Sequence, residues 1–197
     1  MNLTNDTIIR ESLVCRLNEQ YATYPEYRVI PELGLWHGAS RIDVAVINGL
    51  LHGFEIKSDR DTLTRLPEQM RVYNSVFDKV TLVVGSSHLV EAFKMVPDWW
   101  GIETAHIGTN GLVFFNPIRE SRDNTQQDDL SIARLLWRRE ALDLLEKEGK
   151  ADGVRSKSRE LIYARIAESI EREPLKEYVR SVLQYSRQGW RSDVQLV

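Results

Sequence analysis

The chain has 197 residues, with 26 Lys and Arg against 29 Asp and Glu, a net charge of −3 and one cysteine, Cys15. A chain this long can bury about 70% of its surface, and 42% hydrophobic with 28% charged residues excludes a disordered, collagenous or coiled-coil protein. The acidic balance excludes a general polyanion coat, no apolar run approaches the roughly 18 residues of a bilayer span, no signal-peptide pattern opens the chain, and a lone cysteine fits a reducing cytoplasm.

Residues 5–21 read as a helix, because Ile8, Ile9, Leu13 and Leu17 recur at three- and four-residue steps and Thr4 or Asn5 can cap the start. Three Val- and Ile-rich runs follow at 27–33, 41–47 and 51–57, and Asn48-Gly49 supplies a hairpin between the last two. They predict a three-strand antiparallel meander. Residues 61–77 are helical in pattern, with Pro67 in the first turn of the helix proper. Lys79–Gly85 is a near-continuous apolar run, as expected of a strand covered on both faces. A short helix at 88–95 and brief strands at 103–107 and 112–115 come next, joined by Asn110-Gly111. Residues 119–129 are wholly polar and read as a linker or exposed loop. Helices are expected beyond it at 130–147, 157–171 and 175–188, separated by Gly149, Gly153 and Pro174. The expected organisation is an α/β core over 1–118, the polar linker, and a helical C-terminal subdomain over 130–197. Residues 1–118 carry 10 basic and 14 acidic side chains, so any nucleic acid must be drawn by a local patch or by bound metal.

One constellation carries chemistry. Side chains alternate along a strand, so Glu55 and Lys57 share a face. With a hairpin loop at 48–50, paired residue numbers sum to 98, which sets Asp43 opposite Glu55 and Gly53 opposite Ala45, leaving room beside the acids. A two-residue loop would instead set Asp43 opposite Phe54 and break the cluster. Two carboxylates and an amine at one strand end suit Mg²⁺-dependent phosphodiester hydrolysis, in which hard oxygen ligands hold a hard cation and Mn²⁺ can substitute. Asp43 and Glu55 are the candidate ligands, with the main-chain carbonyl of Ile56 beside them. Lys57 is the candidate for orienting water and offsetting developing negative charge.

Asp43 followed by Glu55-Ile56-Lys57, in a helix–strand–strand–strand–helix–strand order, resembles the PD-(D/E)XK nuclease superfamily. Ile42 stands where its motif has proline. Gln69 and Tyr73 resemble the Q-x3-Y motif of RecB-type members, and residues 53–85 resemble an uncharacterised group of small bacterial and phage proteins in that superfamily. The likeness covers roughly residues 5–85. It implies a restriction-endonuclease-like core, a mixed sheet flanked by helices, Gln69 and Tyr73 in the catalytic site, and a further acidic ligand. Glu32 is preferred for that ligand, with Glu11 as the alternative.

Arg60, Arg65 and Arg71 follow the site and are candidates for touching phosphates, as are Lys157 and Arg159 where a C-terminal helix opens. Solvated surface is the competing reading for the first three, and a helical bundle packed on the core or a partner-binding surface for the last two. Trp99-Trp100 and Cys15 read as core, the four histidines lack zinc spacing, and no glycine-rich phosphate loop is present. The expected activity is a cytoplasmic, metal-dependent nuclease acting on DNA, with a homodimer as one route to cutting both strands. The alternative is a non-cleaving module on the same fold that binds nucleic acid or a host or phage protein.

Overall fold

A computed structural model describes residues 3–186; the expected helix end at Gln188 and residues 187–197 of the C-terminal subdomain lie outside the described residues. Helix α1 (Asp6–Tyr21) is capped by Asn5, whose side chain accepts the Ile8 N–H at 3.0 Å. Ile9, Leu13 and Leu17 form its buried stripe, while Ile8 and Cys15 face solvent. Cys15 is therefore not a core residue: its position on the helix turns it away from the sheet. Strands β1 (Arg28–Leu35), β2 (Ser40–Ile47) and β3 (Leu51–Lys57) form the expected antiparallel meander. Helix α2 (Leu66–Val76) starts with Pro67 in its first turn and leads to β4 (Lys79–Gly85), then α3 (Leu89–Met95), β5 (Gly101–Ile107) and β6 (Val113–Arg119).

The six strands lie in sequence order in one sheet. Strands β3, β4 and β5 are parallel, and the outer pairs are antiparallel. Period-two alternation sends Val44, Val46, Phe54 and Ile56 against α1, and Ala45, Ile47, Leu51, Leu82 and Val84 against the opposite helical layer. The architecture is mixed α/β, a six-stranded sheet flanked by helices with a helical C-terminal region.

Three expectations change. The segment 130–147 is two helices, α4 (Asp129–Ala133) and α5 (Arg138–Lys147), because Leu135 and Leu136 turn into the core between them. Pro174 does not separate helices: the break falls at Ile170, and Pro174 sits in the first turn of α7 (Arg172–Ser181), where its missing N–H costs nothing. The polar stretch after β6 is not exposed loop throughout, since Asn124 and Gln127 are buried and bonded to the end of α2. Helices α4 to α7, with α6 at Arg159–Ser169, share one continuous apolar cluster with the sheet and α2. Among the described residues no helix is long and apolar enough to cross a membrane.

Candidate active site

The hairpin register decides the site. Val44 pairs with Phe54, Ala45 with Gly53 and Ile47 with Leu51, around a loop at 48–50 where Gly49 takes φ +89°. That is the register in which the acids converge. The Asp43 carboxylate accepts the Ile56 N–H at 2.7 Å. One Glu55 oxygen accepts Lys57 Nζ at 2.5 Å and Gln69 Nε2 at 2.6 Å, and the other lies 2.7 Å from the Tyr73 hydroxyl. Gln69 and Tyr73 are one helical turn apart on the face of α2 that covers β3, which is why both reach the same carboxylate. Gly53 differs from expectation in one respect. A Cβ there would lie 2.9 Å from Ile42 and 3.2 Å from Phe77, so the space its missing side chain leaves is taken up by core packing.

Glu55, Lys57 and Tyr73 are buried. Each Glu55 oxygen nevertheless has a donor, which is the condition for keeping a carboxylate out of water. The Tyr73 hydroxyl also lies 2.6 Å from the Arg41 carbonyl, so its single proton bridges the β1–β2 hairpin and Glu55. Burial, reinforced by the Glu55 and Asp43 carboxylates, raises its pKa and keeps it a donor. The Gln69 Oε1 atom is buried with no hydrogen-bond partner among the described residues. Asp43 is perturbed as well. Burial first, then the neighbouring Glu55 charge, pushes its carboxyl up to about 8 against the opposing Ile56 N–H.

Sequence reasoning missed Asp6 and Arg10. The Arg10 guanidinium binds Asp6 and also approaches Asp43 at 3.5 Å and Glu32 at 3.7 Å. The i, i+4 spacing of Asp6 and Arg10 was legible; their pointing at Asp43 follows only from how α1 lies on the sheet. Glu32 falls beside Asp43 in the β1–β2 register, between the pairs Pro31–Val44 and Leu33–Ile42, and takes φ 54°. Its carboxylate turns to Arg10 and to Arg41 at 3.4 Å, so it is not drawn in with Glu55. Glu11 is exposed on α1. Among the described residues no three His, Cys, Asp or Glu side chains converge as a metal cage; the gathered acids are Asp43 and Glu55.

Arg60, Arg65 and Arg71 are exposed around α2, and Lys157 and Arg159 are exposed where α6 begins. Arg159 is close enough to His37, in the β1–β2 turn, to help lower that ring's pKa after burial has done most of it. The structure thus brings the α6 end to the hairpin that carries Arg41 and Asp43. Trp100 is fully buried and donates to Asn74 at 2.8 Å, confirming it as core.

The fold and site define a mixed α/β protein with two acids and a lysine gathered at the end of an interior strand. The chain belongs to the family described as bacteriophage P4 protein cII, which it matches over residues 2–193. It is 33% identical over 121 residues to Protein cII of Enterobacteria phage P4; that stretch is 61% of this chain and 46% of the relative, so the chain spans under half of the relative's length. A solved protein of unknown function from Silicibacter pomeroyi is similar at a TM-score of 0.47 and 13% identity, covering 79% of this chain and all of the other.

Proposed function

We propose that the protein is a metal-dependent nuclease of the PD-(D/E)XK kind, hydrolysing phosphodiester bonds in DNA. The observation that carries this reading is the gathering of Lys57, Gln69 and Tyr73 around the buried Glu55 carboxylate, with Asp43 beside it on the Ile56 N–H. The donor set suits a hard divalent cation: burial first and then the Glu55 charge raise the Asp43 carboxyl to about 8, so added positive charge would favour its ionised, ligating form. Asp43, Glu55 and the Ile56 carbonyl would hold Mg²⁺ or Mn²⁺, with water and substrate oxygens completing its shell. When bound, the ion supplies Lewis-acid activation of water and of the phosphate.

The chain's own residues do the remainder. Tyr73 and Gln69 fix the Glu55 carboxylate from α2. Lys57 carries its ammonium beside the same carboxylate, where it can donate to an attacking water and to a developing negative oxygen. Arg60, Arg65 and Arg71, exposed around α2, would meet phosphates flanking the cut.

Purified protein with Mg²⁺ or Mn²⁺ should cleave one of single-stranded, duplex, nicked or branched DNA. Lys57→Ala should cut at least about 10²-fold more slowly, as when one electrostatic stabiliser is lost, with metal affinity little changed. Asp43→Ala should lose metal affinity as well as rate. Absence of cleavage on all four substrates, or a rate untouched by Lys57→Ala, would sink the reading.

A second reading is favoured by the internal pairing of Lys57 with Glu55 and of Arg10 with Asp43. These neutralise the acids without metal, as suits a non-cleaving module that binds nucleic acid or a host or phage protein. Binding that survives Asp43→Ala, with no cleavage at any metal concentration, would select it.

A further inference from the structure

The turn between β1 and β2 is held in an uncommon shape. Trp36 and His37 take φ 47° and 58°, the left-handed region that non-glycine residues rarely adopt. Trp36 is 37% exposed although it is the largest side chain in the turn. Two contacts hold the turn in place. The His37 ring stacks on Tyr163 of α6, with centroids 5.5 Å apart, and the Tyr163 hydroxyl donates to the Leu136 carbonyl at 2.8 Å. The residue after Leu136 is Trp137, also 37% exposed. The Arg134 guanidinium lies 5.9 Å over the Trp36 ring and is braced by Glu160 at 2.8 Å. Two part-exposed indoles, Trp36 and Trp137, are thus linked through Arg134, Tyr163 and Leu136, on a rim built from both halves of the chain.

Charge around this rim runs against the net charge of −3. Arg41, Arg134, Arg138, Lys157 and Arg159 outnumber Glu32, Glu160 and Glu140, the last of which accepts the Trp137 N–H, and Arg138 is held there by the Arg155 and Lys157 carbonyls. The rim also adjoins the candidate site. Leu35 pairs with Ser40 at the mouth of the hairpin, and Asp43 lies three residues further along β2, roughly 10 Å away.

We propose that this rim is a stacking platform for single-stranded nucleic acid, with unpaired bases on Trp36 and Trp137 and the backbone along the arginines. An exposed indole gains by stacking only on a base not already stacked in a duplex, whereas arginines attract both forms. The inference deepens the nuclease reading by naming its substrate class, but its test needs neither metal nor cleavage.

In EDTA, a labelled oligo(dT) should bind with rising anisotropy and quench tryptophan emission. Trp36→Ala should weaken binding about tenfold or more, the loss typical of one base–aromatic stack. Trp36→Phe should stay within a few-fold of wild type while losing much of the quenching. Arg159→Glu should lower the salt dependence of binding, and a duplex of equal length should bind Trp36→Ala and wild type alike. Trp137→Ala serves as the second variant if Trp36→Ala lowers the melting temperature. Unchanged oligo(dT) affinity in a folded Trp36→Ala or Trp137→Ala protein overturns the proposal. So does equal affinity of wild type for duplex, or loss of self-association in place of DNA binding, which would make the rim a protein contact. Failure of the nuclease reading is read separately, as absent metal-dependent cleavage with oligo(dT) binding intact.

Discussion

Two residues set opposite pH dependences in the same small protein. Burial, helped by Glu55, holds the folded Asp43 carboxyl protonated up to about pH 8, whereas an unfolded aspartate ionises near pH 3.9. The folded state binds more protons across that window, so stability falls as pH rises through it. His52 works the other way. Burial above all, with Lys79 adding to it, pushes its ring down to about 3, and it stays neutral 2.9 Å from the Thr81 hydroxyl. Below about pH 6.5 the unfolded ring takes up a proton that the folded ring refuses, so stability falls as pH falls toward 3. The two overlap between about pH 4 and 6.5, and above that Asp43 acts without His52. Metal-free protein should therefore lose stability between about pH 6.5 and 8.5, and Asp43→Asn should remove that slope. Urea midpoints in EDTA across this range measure it; an unchanged slope in the variant would assign it to other groups.

At the scale of elements, helix α2 carries Gln69 and Tyr73 and depends on the segment after β6 for its end. The last carbonyls of a helix have no partner within it. Here the Asn124 side chain donates to the Asn74 and Phe77 carbonyls, Asp128 N–H to Ser75, and Gln127 to Val76. Asp128 then caps α4 through the Leu130 and Ser131 amides. A run of polar residues thus acts as a C-cap for one helix and an N-cap for the next. Asn124→Ala removes the donor from the buried Phe77 carbonyl and the part-buried Asn74 carbonyl and should cost about 2 kcal/mol. Urea unfolding gives the value, and hydrogen exchange should show the last turn of α2 opening first. A loss below about 0.5 kcal/mol would mean that water replaces the amide there.

For the whole molecule, the C-terminal helices complete the core. The apolar cluster on the α2 face of the sheet runs from Ile30 and Ile47 through Tyr73 and Trp100 to Leu136, Tyr163 and Leu183. Polar ties cross the same boundary: Lys176 Nζ lies 2.6 Å from Asp78, and Arg28 donates to the Leu183 carbonyl at 2.7 Å. A shared apolar core of this kind unfolds as one unit. Far-ultraviolet dichroism and tryptophan emission should give coincident urea transitions, although the polar run divides the sequence in two. Separate transitions would restore an independent helical subdomain.

The chain's own pattern was enough for the elements around the site. Period-two runs, Asn48-Gly49 and the helical spacing of Gln69 and Tyr73 are local signals, and local backbone preference is what they report. Once the hairpin loop is placed at 48–50, the meeting of Asp43 with Glu55 follows by counting. Other features depended on packing between segments far apart in sequence. The orientation of α1 aimed Arg10 at Asp43 and turned Cys15 outward, and the core drew Leu135 and Leu136 in, breaking a helix whose periodicity read as continuous. The Asn124 strap and the Trp36 rim exist because orphan carbonyls and a stacked Tyr163 meet them from another part of the chain. Spacing along a chain encodes which face a residue takes, while its partner across the fold is decided by which surfaces bury each other when the tertiary structure closes.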